Sequence, residues 1–232
     1  MIPESRQVIH VGLNYVLNPL PALTRDKKLD FQRTLEEQGL VPDRFQVQRD
    51  GREIVVWSKS PIPLEIKIGA VGEAPIGQLL MIATHPGVFE LAQKQIAAAT
   101  AAFEKTWQAE PRQVLRRDAT LRVLFGTSKE HAFTEIWETR LGKNPGELEL
   151  LGHPVLGGGL RFVMPPIQKS EPVIEVKIES FLSDTSKIFM EAQFIWQDPG
   201  ASGRGLDPAA TLKAVDNYIK ESLVPFMAGG PA

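Results

Sequence analysis

Apolar and charged residues alternate strictly along two short stretches of the chain, Leu64-Glu65-Ile66-Lys67-Ile68 and Ile174-Glu175-Val176-Lys177-Ile178. Such alternation predicts a β-strand with one buried face, because successive side chains of a strand point to opposite sides. The two stretches match in residue type and begin 110 positions apart, at residues 64 and 174. The match indicates that the chain contains the same structural unit twice.

The order of the predicted elements around these stretches is also repeated. In each half of the chain, periodicity and turn signals predict a strand, a helix, four strands and a second helix. The predicted strands are 8–17, 45–48, 53–58, 64–70 and 78–84 in the first half, and 118–125, 147–151, 159–164, 173–182 and 187–197 in the second. The predicted helices are 26–38, 88–108, 127–141 and 208–226, and turns are predicted at 50–51, 85–87 and 198–200.

We therefore predict an α+β fold made by tandem duplication of a β-α-β-β-β-β-α unit, with an antiparallel curved sheet and long helices on one of its faces. The first unit spans residues 1–112 and the second spans residues 113–232. The alternative is that two mixed halves resemble each other by chance. The sequence leaves open whether the two halves share one continuous sheet.

The duplicated order of elements, from Val8 to Met227, resembles the fold of the TATA-box-binding protein. In that fold the sheets of the two halves join into one saddle, and the helices lie on its convex side. The resemblance is one of topology, and no sequence motif of that family occurs in this chain. It therefore implies a fold and an analogy with nucleic-acid binding, but it assigns no functional residue.

A sheet that is covered by helices on one side exposes alternate residues on the other, which we call the open face. The alternation predicts that seven candidate binding residues lie there: Glu65, Lys67, Arg122, Glu175, Lys177, Glu179 and Glu191. By the same parity His10, Asn14, Thr120, Phe189, Gln193 and Ile195 lie beside them. Lys67 and Lys177 are expected to form cross-strand ion pairs with the glutamates.

Charge on the predicted open face is mixed, with three bases against four acids. Duplex DNA binding needs an excess of Lys and Arg to replace phosphate counterions, so it is disfavoured. A protein partner or self-association is the functional interpretation of this face. The alternative is a face that is only solvated.

The amino-acid composition excludes several kinds of chemistry. The chain has 232 residues, 43% of them hydrophobic, a formal net charge of −2 and no cysteine. The absence of cysteine excludes disulfides, thiolate catalysis and cysteine-ligated zinc, and it is compatible with a reducing compartment. Without a basic block, a signal-peptide pattern or a long apolar run, we predict a cytoplasmic protein with no membrane contact.

The sequence contains no recognisable catalytic, cofactor or metal motif. The four histidines, His10, His85, His131 and His153, are not at the spacings typical of metal ligands. The glycine-rich stretch 69–77 lacks the dinucleotide-binding spacing and predicts a hairpin loop, and no nucleophile elbow occurs. A loose basic cluster, Lys105, Arg112, Arg116 and Arg117, is interpreted either as a solvated linker or as a phosphate contact.

The hypothesis that these observations favour is a non-enzymatic binding or scaffold domain that acts through protein contacts of the open face. The alternative is a small-molecule binding protein or enzyme with a pocket between the long helices and the sheet, near Phe103, Trp107, Phe194 and Trp196. A nucleic-acid-associated factor, by analogy of fold, is a further alternative.

Overall fold

A computed structural model describes residues 1–48, 51–59, 61–72, 75–110, 112–197 and 206–229. Within these residues the fold is α+β, with a single open antiparallel sheet of nine strands. The strands are β1 (Ile2–Asn18), β2 (Arg44–Gln48), β3 (Glu53–Ser58), β4 (Leu64–Ala70), β5 (Gly77–Gly87), β6 (Gln113–Gly126), β7 (Gly159–Met164), β8 (Val173–Ser180) and β9 (Lys187–Gln197).

The helices connect the strands and close the chain. They are α1 (Arg25–Glu37), α2 (Phe89–Thr106), α3 (Ala132–Thr134, continued by a π-helix Glu135–Arg140), α4 (Pro208–Tyr218, continued by a π-helix Ile219–Leu223) and α5 (Val224–Ala228). The Thr24 side chain accepts a hydrogen bond from the backbone N–H of Lys27 at the start of α1. Asp207 caps α4 in the same way, so both helices begin at a residue type that satisfies free backbone donors.

The sheet is continuous across the two halves of the sequence. Its strand order is β2-β3-β4-β5-β1-β6-β9-β8-β7, and β1 pairs with β6 along most of their lengths. The first strand of each half therefore lies at the centre, the last strand of that half pairs with it, and the earlier strands follow outward. This arrangement answers a question that the sequence left open. The duplication itself stays a prediction.

One side of the sheet forms the core. On β1 the inward positions are Val11, Leu13, Tyr15 and Leu17, and all four are almost fully buried. The register continues this parity across the sheet, since Leu13 lies opposite Met81 on β5 and Ala119 on β6. These side chains pack with the buried stripes of the helices in one hydrophobic cluster. Residues of the opposite parity lie on the other side of the sheet.

The strand predicted at 147–151 is wrong. Residues Pro145–Leu151 form a 3₁₀-helix, which begins with a capping box between Asn144 and Glu147 and ends at Gly152 in the left-handed conformation. The alternation of Glu and Leu suggested a strand, but the local capping residues favour a helical turn. Among the described residues, the second half consequently has one strand fewer than the first, and no strand there corresponds to β2.

The helix predicted at 127–141 is also shorter than expected. Thr127 and Ser128 do not start it, because their hydroxyl and backbone N–H both donate to the buried carboxylate of Glu135 instead. The helix begins at Ala132, and Leu141 from the predicted buried stripe is 38% exposed. A carboxylate seven or eight residues further along the chain is therefore the partner, and not Glu130.

Two further predictions need correction or lie outside the described residues. Residues 85–87 belong to the end of β5 and are not a separate turn, although His85 has a φ of +48°. Strand β1 begins six residues before the predicted start, at Ile2, and its register shifts between Val8 and His10. The predicted turn at 198–200 and residue Asp50 of the predicted hairpin turn lie outside the described residues.

Candidate functional site

The strand register brings the predicted open-face residues into rows across the sheet. One row runs from His10 on β1 through Arg122 on β6 and Glu191 on β9 to Lys177 on β8. A second row carries Glu65, Ile82, Gly12, Thr120, Gln193 and Glu175. Lys67 lies in a third row with Leu80, Asn14, Asp118 and Ile195. Six of the seven predicted residues thus lie in the middle of one surface.

Glu191 is the centre of an ion-pair cluster on this face, because its carboxylate accepts hydrogen bonds from two cations. Its Oε2 atom accepts a hydrogen bond from Arg122 Nε at 2.5 Å, and its Oε1 atom accepts one from Lys177 Nζ at 2.7 Å. The carboxylate is 8% exposed, whereas the two cations are 41% and 37% exposed. Burial by itself raises the pKa of Glu191, but the hydrogen bonds from Lys177 and Arg122 outweigh it and hold the pKa below its ordinary value. The carboxylate is therefore ionised and shared by two cations.

His10 adds a neutral group beside this cluster. It lies opposite Arg122 in the ladder between β1 and β6. Burial, followed by the nearby charge of Arg122, lowers the pKa of His10 to about 4, and the charge of Glu191 opposes this only in part. The imidazole is consequently uncharged at neutral pH and adds no positive charge to the face.

Most of the other acidic residues of the open face also have partners within it. Their contacts are Asp118 with Arg116 (2.7 Å) and Asn14 (3.1 Å), Glu53 with Lys67 (3.2 Å), Glu175 with Arg161 (3.1 Å), and Glu65 with the indole N–H of Trp57 (2.8 Å). The expected cross-strand ion pair of Lys177 is confirmed with Glu191, whereas Lys67 pairs with Glu53, which was not among the expected partners. Glu179 is exposed and lies at the end of β8, opposite Phe189 and Gly159.

Sequence reasoning missed six charged residues that the register places on this face: Arg44, Glu53, Arg116, Asp118, Arg161 and Lys187. Alternation along β3 and β7 contains the signal for Glu53 and Arg161, because each has the same parity as a neighbouring residue that was assigned to the face. Asp118 lies within the predicted strand 118–125 and shares the parity of Arg122, whereas Arg116 required the true start of β6, at Gln113, to be known. With these additions the strands place seven bases and six acids on the face among the described residues, counting Glu179.

Half-buried apolar side chains lie between the ion pairs. They are Val16, Leu80, Ile82, Val173 and Ile195, and each is on the same side of the sheet as the charged rows. The surface is thus a mixture of apolar side chains and internally neutralised charges. Such a surface lacks the large excess of Lys and Arg that is typical of a phosphate-binding site.

The aromatic residues proposed as a pocket belong to the core. Phe103 and Trp107 are completely buried, with ring centroids 5.0 Å apart, and the Trp107 indole N–H donates to the Ala22 carbonyl. A cavity of about 470 Å³ does lie between the C-terminal helices and strands β7 and β8. Its lining includes Phe162, Met164, Tyr218 and Phe226, with Arg140 stacked 4.0 Å from the Phe226 ring centroid.

The loose basic cluster is dispersed by the fold. Lys105 pairs with Glu37, and the Arg112 guanidinium lies over Phe103 and near Glu104. Arg116 points to the open face, and Arg117 lies over the Trp196 ring on the opposite side of the sheet, 4.2 Å from its centroid. These side chains do not form one patch that could bind phosphate.

Comparison with known proteins adds no assignment. No protein-family model matches this sequence, and a search of curated proteins finds no significant match. In the part of the chain that the structure describes, no three His, Asp or Glu side chains converge as a metal site. No helix among those residues is long and apolar enough to cross a bilayer.

Proposed function

We propose that this protein is a non-enzymatic binding domain whose open face binds a partner protein with a largely uncharged surface. The observation that most supports this proposal is that acidic residues of the face pair with cations or hydrogen-bond donors of the same face. Glu191, Asp118, Glu53 and Glu175 each have a cation or donor within the same surface. A partner therefore needs no opposite charge to bind there.

Binding at the open face requires that water be removed from its charged side chains. A buried charge without a counterion opposes binding, whereas a charge that is already paired and hydrogen-bonded loses less when water is removed. The half-buried apolar residues Leu80, Ile82 and Ile195 then contribute favourable free energy of binding, because a partner can cover their remaining accessible surface. A phosphate backbone would have to break the existing ion pairs, so the balance supports a protein partner over duplex DNA.

Several finer inferences belong with this proposal. The similar outward order of strands from the central β1–β6 pair supports tandem duplication into a curved sheet with its long helices on one face. We retain the resemblance to the TATA-box-binding protein as an analogy of fold. We also infer a cytoplasmic location, which the absence of cysteine supports.

The test is native mass spectrometry of the protein isolated gently, at low salt, from its own host. We expect an added mass of protein size that is not a multiple of the chain. Thr120→Lys combined with Gln193→Lys adds two cations at the centre of the open face, where these residues lie opposite each other. This double variant is expected to lose the added mass.

The matched control is Ala101→Lys combined with Gln108→Lys, which adds the same charge at exposed positions on α2 and just beyond it. The control variant is expected to keep the complex. The proposal is wrong if the wild-type chain carries no protein mass other than copies of itself, or if both double variants lose the added mass equally. DNA retained by the wild type would instead favour the nucleic-acid alternative.

The second candidate function is binding of a small apolar ligand in the cavity of about 470 Å³. Its volume is larger than the roughly 150 Å³ that accommodates benzene. Tyr218 and Arg140 supply polar groups at the cavity, in addition to the aromatic lining. A small added mass in the same spectra, present in both double variants, would support this function and a bare chain would contradict it.

A further inference from the structure

One edge of the sheet differs from the other in how it ends. Counted outward from the central pair, the first half has β1, β5, β4, β3 and β2, and the second has β6, β9, β8 and β7. Strand β3 is covered by β2, but its counterpart β7 has no outer neighbour among the described residues. The segment that would supply one, Pro145–Leu151, is a 3₁₀-helix.

The free backbone groups of β7 can be identified from the ladder. The backbone N–H of Ser180 donates to the Gly158 carbonyl at 3.0 Å, which marks residues 158 and 180 as a hydrogen-bonded pair. Hydrogen-bonded and non-bonded pairs alternate in an antiparallel ladder, so even-numbered residues of β7 bond to β8. Gly159, Arg161 and Val163 therefore direct their N–H and C=O groups away from the sheet.

Exposed apolar side chains surround this edge. Phe162 and Val163 on β7 are 38% and 56% exposed, and Ile167 just beyond the strand is 94% exposed. Leu182 is 71% exposed, and its side chain approaches Gly157 immediately before β7. A strand edge with unpaired backbone groups and apolar neighbours is a template for pairing with another strand.

We propose that β7 pairs antiparallel with β7 of a second copy of this chain, which joins the two sheets across a twofold axis. The register follows from the residues. With Phe162 on the axis, Arg161 lies opposite Val163 of the second copy, and these outward-facing residues exchange N–H···O=C bonds. Centring the axis on Arg161 would place like charges opposite each other, and centring it on Val163 would place Arg161 opposite Pro165, which has no N–H.

Packing on the core side agrees with this register. The Phe162 residues of the two copies then lie opposite each other as a non-hydrogen-bonded pair, which is the kind of pair whose side chains are closest. Phe162 already contacts Phe226 edge to face, with centroids 5.9 Å apart, at the wall of the cavity of about 470 Å³. The cavity provides room for the second aromatic ring. Arg161 keeps its own ion pair with Glu175, so the junction contains no unpaired charge.

The experiment is sedimentation velocity of the full chain over a concentration series, with three variants of one residue. Val163→Pro removes an outward N–H that β8 does not use, and it is expected to give a monomer. Val163→Lys places a positive charge opposite Arg161 of the other copy, at two positions related by the twofold axis. This variant should weaken the dimer by about tenfold. Val163→Glu adds an exposed charge of similar size but opposite sign, and it should keep or strengthen the dimer.

Circular dichroism of each variant checks that the fold is retained, and the comparison of Lys with Glu does not depend on the proline. A wild-type chain that is monomeric at every concentration would overturn the proposal. So would a dimer that responds equally to Val163→Lys and Val163→Glu. The Thr120→Lys, Gln193→Lys double variant should dimerise normally, so failure of this inference is distinguishable from failure of the proposed function.

Discussion

Replacing Glu191 by Gln tests whether the buried carboxylate that Arg122 and Lys177 share stabilises the fold through its charge. The substitution preserves shape but removes the negative charge shared by Arg122 and Lys177. It also places an amide N–H₂ group close to a cation. Hydrogen bonds to charged groups contribute about 1.5–3 kcal/mol when buried, whereas exposed ion pairs contribute about 0–1 kcal/mol.

The geometry lies between these limits. The carboxylate is 8% exposed, but Arg122 and Lys177 are 41% and 37% exposed, so solvent screens both contacts in part. Taking about 1 kcal/mol for each of the two contacts, we expect Glu191→Gln to lower the free energy of unfolding by about 2 kcal/mol at pH 7. This corresponds to a decrease in Tm of roughly 4–8 °C for a chain of this size.

The assay is urea unfolding of wild type and variant at neutral and acidic pH. The folded-state pKa of Glu191 is lowered, so its stabilisation is complete above the ordinary value of 4.5 and is lost as the pH falls through the folded-state pKa. The difference between the two proteins should therefore shrink in acid. Glu175→Gln is the control, because its pair with Arg161 is exposed and should contribute less than about 1 kcal/mol.

Equal effects of Glu191→Gln and Glu175→Gln at pH 7 would refute this reasoning. So would a difference between wild type and Glu191→Gln that stays constant into acid, because the charge would then have no part in it.

Two further predictions concern the centre of the sheet and the core. The NMR titration of His10 should have a midpoint near pH 4, and the free energy of unfolding should fall as the pH decreases from 6.5 towards 4, because only the unfolded state then binds the proton; His10→Asn should flatten this slope, and an unchanged slope would contradict the assignment. Trp107→Ala should lower the free energy of unfolding by about 3–5 kcal/mol in urea, since it removes a completely buried ring, and a loss below about 1 kcal/mol would show that the ring is not packed as described.

Local periodicity was sufficient to predict most strands, because a strand with one buried face records its environment in every second residue. It assigned Ile66 and Val176 to the core and Lys67 and Lys177 to the open face, as the structure has them. The same rule failed at 147–151, where the residues alternate but Asn144 and Gly152 supply helix caps. Short-range hydrogen bonds at the ends of a segment can thus override its hydrophobic pattern.

Partner identities within the site could not be read from the sequence, because they depend on register between distant strands. Glu191 is an ion-pair partner of Arg122 only because β9 lies beside β6 with these two residues opposite each other. The cavity beside Phe226 likewise forms where the C-terminal helices meet β7, which no local pattern describes. A pocket near Trp107 was only an alternative to a core position, and the structure has this residue buried in the core.

The open face and the β7 edge differ in whether their hydrogen-bonding groups already have partners within the chain. This difference determines how the two surfaces would act together. Charges of the face are paired within the chain, whereas Arg161 and Val163 have outward backbone groups with no partner among the described residues. A twofold axis perpendicular to the sheet keeps the open faces of both copies on the same side. Dimerisation through β7 would therefore double the width of the open face without burying it. A partner that spans the axis should bind the wild type more tightly than Val163→Pro, whereas a partner confined to one copy should bind both alike.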